Sequence, residues 1–81
     1  MPFEDQTPRK CKIVHVEWLD ITGTSDSPEL SRRWTLGHLL STDFVSEGVE
    51  CTVLGITWDE DGWSDYSTFP NSIVVSREDA K

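Results

Sequence analysis

The chain has 81 residues and a formal net charge of −8, from 7 Lys plus Arg against 15 Asp plus Glu. One small domain is all this length supports, and a domain of this size buries only roughly 60% of its unfolded surface, which argues against an enclosed substrate cavity and a large-enzyme architecture. With 36% hydrophobic residues and four Trp it has the material for a core, while its acidity disfavours direct nucleic-acid binding, where affinity comes from Lys and Arg on phosphates.

In chain order, residues 1–9 hold Pro2 and Pro8 and no periodic apolar pattern, and read as a mobile leader to a single domain over residues 10–77. The start has neither a basic segment followed by an apolar run nor, further on, a stretch of about eighteen apolar residues, so neither secretion nor a membrane partner is expected. From Cys11 to Asp20, Val14, Val16 and Trp18 alternate with His15 and Glu17, the period of a half-buried strand. Residues 21–28 are rich in Gly, Ser, Thr and Pro and read as a loop. Ser27, Pro28 and Glu29 have the form of a helix start, which allows a turn or two through Arg33. Thr35 is a second cap, after which Leu36, Leu39 and Leu40 recur at spacings of three and four, predicting a short helix over residues 36–41. Gly37 costs that helix roughly 1 kcal/mol relative to Ala, so packing must hold it.

Residues 49–58 are rich in β-branched side chains, with Thr52, Leu54, Ile56 and Trp58 on one face and Cys51, Val53 and Thr57 on the other, both expected to be partly covered. Asp59-Glu60-Asp61-Gly62 supplies a hairpin turn, since Asp-Gly tolerates positive φ. A returning strand over residues 63–69 ends at Pro70, which lacks a ladder donor. Ile73, Val74 and Val75 mark a closing strand over residues 72–77, and residues 78–81 read as a frayed tail. The fold class is therefore mainly β: a small, strongly bent antiparallel sheet or SH3-like half-barrel of about four strands, with one short helix between strands 1 and 2. Val14, Val16, Leu54, Ile56, Trp18 and Trp34 are expected to fill it.

Several of these segments together resemble a known family. Val16-Glu17-Trp18-Leu19-Asp20, a Ser/Thr-rich loop, Trp34 before a leucine-bearing turn, Cys51-Thr52-Val53-Leu54-Gly55-Ile56, an acidic turn and Phe69-Pro70-Asn71-Ser72-Ile73-Val74 occur in the order seen in a family of short tailed-bacteriophage proteins with an SH3-like small β fold. The likeness spans most of residues 12–77. It departs from the family's pattern where Leu54 intervenes between Val53 and Gly55 and where the polar Trp63-Ser64-Asp65-Tyr66-Ser67-Thr68 replaces an apolar strand. The resemblance implies a phage origin and a location in the host bacterial cytoplasm, and it carries over no catalytic residues.

The chemistry-bearing residues form no catalytic or metal-binding motif. His15, His38, Cys11 and Cys51 lack zinc-ligand spacing, and a pair such as Cys51 with His38 lacks any local nucleophile signature. A disulfide between the two cysteines is possible, with buried inert thiols the plainer reading. An EF-hand loop counted from Asp59 needs Gly at its sixth position, which is Ser64. No cofactor and no enzymatic activity are expected.

Charge segregation is more informative. Between Arg33 and Arg77 there is no Lys or Arg, whereas Asp43, Glu47, Glu50, Asp59, Glu60, Asp61 and Asp65 all fall there. Such a field attracts basic surfaces, although acidity also serves simple solubility. Trp58, Trp63, Tyr66 and Phe69 lie beside the acidic turn, and aromatics next to charges are the composition of binding hot spots; the alternative has Trp58 and Phe69 filling the barrel and only Trp63 or Tyr66 exposed. A partner-binding surface is therefore expected at Trp58, Asp59, Glu60, Asp61, Trp63, Asp65 and Tyr66, facing a host protein with a basic surface such as a defence or nucleic-acid-processing factor, with the carboxylates standing where phosphates would lie. The alternative is a virion structural or assembly protein that forms a homo-oligomer through a strand edge.

Overall fold

The computed structural model describes residues 3–23 and 28–80. Five strands, β1 (Ile13–Gly23), β2 (Pro28–Ser46), β3 (Val49–Asp59), β4 (Gly62–Pro70) and β5 (Val74–Asp79), form one antiparallel sheet in the order β4-β3-β2-β1-β5. Single turns of 3-10 helix lie at Pro8–Lys10 and Asn71–Ile73. The mainly β class is as the sequence predicts. The half-barrel of about four strands is not formed: the sheet has a fifth strand and stays open, with β4 and β5 as its two edges.

The fifth strand is β2, the middle of the sheet, and it replaces both the helical turns expected up to Arg33 and the helix expected over residues 36–41. Its leucines explain the misreading. Leu39 packs with Val14, Val16, Leu54 and Phe69, whereas Leu40 packs with Phe3, Val53 and Trp63. These clusters occupy opposite faces of the sheet, so adjacent leucines belong to a strand covered on both sides, whose apolar pattern is continuous rather than alternating and imitates helical spacing. Gly37 fits the same account: a Cβ there would stand 2.9 Å from Ile56 Cδ1 and 3.1 Å from the Gly55 carbonyl oxygen, and its absence lets β3 lie close. Laid straight, the 19 residues of β2 would span roughly 60 Å, yet the molecule's longest extent is 46 Å. The strand therefore bends, and the register shifts between Leu39 and Ser41 and between Ser41 and Phe44 mark where.

Hairpin turns set the rest of the register. Ser46 pairs with Val49 across Glu47 (φ 53°) and Gly48 (φ 75°), the positive pair a type I′ turn needs; Glu-Gly is a weaker turn signal than Asn-Gly or Asp-Gly, so this hairpin is not evident from the sequence. Asp59 pairs with Gly62 (φ 105°), and the Asp59 carboxylate accepts the Asp61 N–H at 2.9 Å, so the acidic turn forms as expected. Pro70 ends β4. Asn71 then ties three segments together: its Oδ1 accepts the Thr52 hydroxyl at 2.6 Å, and its Nδ2 donates to the Thr42 carbonyl at 2.8 Å. Thr52 is 1% exposed, and this bond satisfies it.

Both chain ends are more engaged than their composition suggests. The segment read as a mobile leader contributes Phe3 to the core, buried beside Leu40, Val53 and Trp63 and in ring contact with Phe44 and Tyr66. Of the residues read as a frayed tail, Glu78 and Asp79 belong to β5, with His15 opposite Glu78 and Val14 opposite Asp79, and the Ala80 N–H donates to the Ile13 carbonyl at 2.8 Å. Of the loop expected over residues 21–28, the strands take its two ends, up to Gly23 opposite Pro28, and residues 24–27, including the cap expected at Ser27, lie outside the described residues.

Val14, Val16 and Leu54 are buried as expected, and Trp18 is half-buried with its Nε1–H donated to Thr35 Oγ1 at 3.0 Å. Ile56 is exposed, and Trp34, expected in the core, is 65% exposed. Trp34 pairs in register with Glu17 on the face opposite the Val14–Val16 cluster, the same face that the N-terminal segment covers at its other end over Trp63. Both cysteines are free thiols, Cys51 buried and Cys11 half-buried against the Phe3 cluster.

Candidate functional site

The outer end of the β3–β4 hairpin gathers aromatic and acidic side chains around a cleft of about 280 Å³ lined by Glu4, Trp58, Glu60, Asp61, Trp63 and Tyr66. The hairpin register puts Trp58 directly opposite Trp63, and their rings meet edge to face, 5.0 Å between centroids at 76°, a favoured geometry for aromatic quadrupoles. Trp63 is the fixed member, 7% exposed. Its six-membered ring lies against the Gly55 backbone, where a Cβ would approach to 2.6 Å, and its Nε1–H donates to the Gln6 carbonyl at 2.7 Å. His38, expected on the solvent side of a helix, stands instead on β2 against the same ring, 5.5 Å from its centroid. Trp58 is 37% exposed and forms the outer wall, and half-buried Tyr66 packs on Phe3 at 5.9 Å.

Five of the seven residues singled out from sequence therefore converge on one cleft: Trp58, Glu60, Asp61, Trp63 and Tyr66. Asp59 is occupied in closing the turn, and Asp65 stands exposed opposite Thr57 on β4, away from the lining. Trp63 is an interior residue rather than a partner-facing one, and Phe69 is buried on the other face of the sheet. Glu4 went unnoticed in the sequence. Only the folding of the first residues onto Trp63, across 57 positions at the Gln6 bond, brings it there, and no local pattern announces that contact.

The single anionic patch implied by the charge run divides in two. Glu47 and Glu50 sit by the β2–β3 turn, whereas Asp59, Glu60 and Asp61 sit by the β3–β4 turn; β3 separates them by roughly 30 Å at about 3.3 Å per residue, several times the Debye length of about 8 Å at physiological salt. The two ends act as separate electrostatic surfaces. Three basic residues on the other strands are matched locally: Arg32 to Glu17 at 2.6 Å, Arg33 to Asp20 at 2.8 Å and Lys12 to Asp79 at 3.5 Å. These exposed pairs contribute little stability, yet they offset part of the negative charge of β1 and β5, while β3 and β4 contain no Lys or Arg.

Among the described residues no group of three or more His, Cys, Asp or Glu side chains is placed to share a cation. Cys51 Sγ points to the Val49 carbonyl oxygen at 3.4 Å while His38 faces Trp63, so the two are engaged separately. Burial pushes the Cys11 thiol pKa up, the direction that keeps it protonated and unreactive. No helix among the described residues is long and apolar enough to cross a membrane. No protein-family model, curated protein or solved structure matches the chain.

Proposed function

We propose that this chain is a non-enzymatic binding protein that engages a partner protein through the acidic, aromatic tip of its β3–β4 hairpin. The observation that carries this reading is the cleft itself: an exposed indole braced on a buried one, rimmed by carboxylates, on strands devoid of basic residues. A rigid aromatic anchor with charges around it is the makeup of an interface hot spot, and the field of the tip favours encounter with a basic surface. On the phage resemblance, that partner is a host defence or nucleic-acid-processing factor in the bacterial cytoplasm, which the protein inhibits.

The test is capture from host lysate by the immobilised chain, compared with Trp58→Ala and Glu60→Ala/Asp61→Ala. Trp58 and the tip carboxylates are exposed, so these variants keep the fold. Trp63 is unsuitable, because its loss would remove part of the core. The reading expects one stoichiometric partner, weakened between ~50 mM and ~500 mM salt and lost in both variants. Retention of that partner by both variants would refute it.

A second reading, self-association in an assembly or virion role, draws on a different observation. Among the described residues, positions 32–36 of β2 are registered with β1 and with no second strand, and Leu30, Trp34 and Leu36 are exposed along that arm. Sedimentation separates the two: a monomer at micromolar concentration supports the hairpin tip, and a defined oligomer dissolved by Trp34→Lys supports the strand edge.

A further inference from the structure

We infer that the cleft at the hairpin tip accepts the ammonium group of a lysine side chain presented by the partner. The inference rests on the tip being the contact surface and names the chemistry that surface selects. Three features of the cleft converge on a compact organic cation. Its walls are aromatic: Trp58 and Trp63 meet at 76° and form a corner, closed on a further side by Tyr66. A cation held within about 6 Å of an indole face is attracted by the ring quadrupole, and Trp58, the exposed member of the pair, is the ring offered to it. Its rim is anionic, with Glu4, Glu60 and Asp61 and no basic residue among the lining.

The size also fits. A volume of about 280 Å³ lies just under the roughly 300–1,000 Å³ of pockets that enclose drug-sized ligands, room for the end of one long side chain rather than a whole cofactor. Its rim carboxylates are not placed to share one cation, so a hard metal ion, which wants about six to eight oxygen ligands, is poorly served. Arginine is the less suited cation because of its size: its guanidinium is a broad plane that needs an open ring face and an in-plane carboxylate together, whereas a cleft of about 280 Å³ admits a compact ammonium in any orientation.

The cleft is preformed. Trp63 cannot swing, because one ring face rests on Gly55 and its Nε1–H is held by the Gln6 carbonyl. Binding therefore does not have to order the inner wall, a saving that appears as affinity. The comparable cleft on the other half of the molecule, beside Trp34, lacks the ring pair: it presents a single indole.

The test follows the Trp58 indole N–H and the Asp61 and Gly62 amides of the full-length 15N-labelled chain by NMR. The probes are short glycine-flanked peptides carrying one central lysine, trimethyllysine, arginine or norleucine. Saturable shifts confined to the tip are expected with lysine and trimethyllysine, and affinity about tenfold or more lower with norleucine, which keeps the apolar stem and loses the charge. Trp58→Ala should weaken lysine binding by about tenfold with the remaining spectrum unchanged, and Asp61→Asn several-fold. Equal binding of norleucine and lysine, tighter binding of arginine than lysine, or shifts centred away from the tip would overturn the inference. If lysine peptides give no shift while lysate capture still depends on Trp58, the lysine assignment falls and the contact surface stands. If they bind at the tip while capture is indifferent to Trp58, the cleft chemistry stands and the contact-surface reading falls.

Discussion

Replacing Gly55 with Ala asks whether Trp63 truly rests on the β3 backbone. The added methyl would stand 2.6 Å from Trp63 Cε3 and Cζ3 and 2.8 Å from Cδ2, close to 1 Å inside ordinary carbon contact of about 3.5 Å. The ring has no free direction of retreat, because its Nε1–H is bonded to Gln6 and its neighbours are Phe3, Leu40 and Val53. Overpacking of this kind costs about 1–3 kcal/mol. Gly55 is not among the described glycines with positive φ, so Ala suits the backbone there and regains about 0.4–1 kcal/mol by restricting the unfolded chain. The net expectation is a loss of about 1–2 kcal/mol, a large share of the ~4–12 kcal/mol typical for a chain of this length. In urea unfolding, with a slope near 1 kcal/mol/M, the midpoint should fall by about 1–2 M. A double-mutant cycle isolates the cause: with Trp63→Leu in the background, Gly55→Ala should cost almost nothing. An unchanged midpoint, or the same cost in both backgrounds, would refute the argument.

Three further predictions concern the packing that supports the tip. Phe3→Ala should destabilise the protein by about 3 kcal/mol, read as a drop in melting temperature, whereas a segment that did not pack would give no change. Asn71→Leu should cost about 1–3 kcal/mol, because the Thr52 hydroxyl, buried at 1% exposure, loses its acceptor; urea unfolding measures this, and a neutral result would show that the bond adds nothing. Burial raises the Cys11 pKa, so iodoacetamide at ~pH 8 should alkylate it more slowly than an unfolded peptide cysteine, whose pKa is about 8.5. The sign for stability follows by linkage. The folded state holds the thiol proton to higher pH than the unfolded state does, so this contribution is intact below the ordinary thiol pKa and declines as pH rises through and above it.

The parts of this fold that could be read from sequence are those whose signals are local. Val14, Val16 and Trp18 alternate with His15 and Glu17 because β1 covers a core on one face only over that stretch, and Asp61-Gly62 marks a turn because the positive φ falls on a glycine. β2 was opaque for the opposite reason. Leu39 and Leu40 serve clusters on both sides of the sheet, and a two-faced strand carries no alternation to detect. The exchange of roles between Trp34 and Trp63 has the same origin. Nothing intrinsic to an indole decides which one is buried. Phe3 and the Gln6 carbonyl come over Trp63 from the far end of the chain, and no described element comes over Trp34.

The candidate site was legible to a similar degree. The aromatic and acidic composition of residues 58–66 located it, because a tight hairpin keeps sequence neighbours together in space. The division of labour within it was not legible, since Asp59 as turn closure, Trp63 as inner wall and Glu4 as rim all depend on tertiary contacts. Likewise the charge run looked continuous only along the chain. A strand of 11 residues carries its two ends to opposite sides of the molecule.

The most direct test of the hairpin tip as the contact surface is amide hydrogen exchange on the protein alone and in complex with its captured partner. Protection gained on binding should concentrate at residues 58–66 and in the N-terminal segment around Glu4, with the β1–β2 arm and β5 exchanging as in the free protein. Protection centred on residues 28–36 or on β5, with the hairpin tip unchanged, would contradict the account.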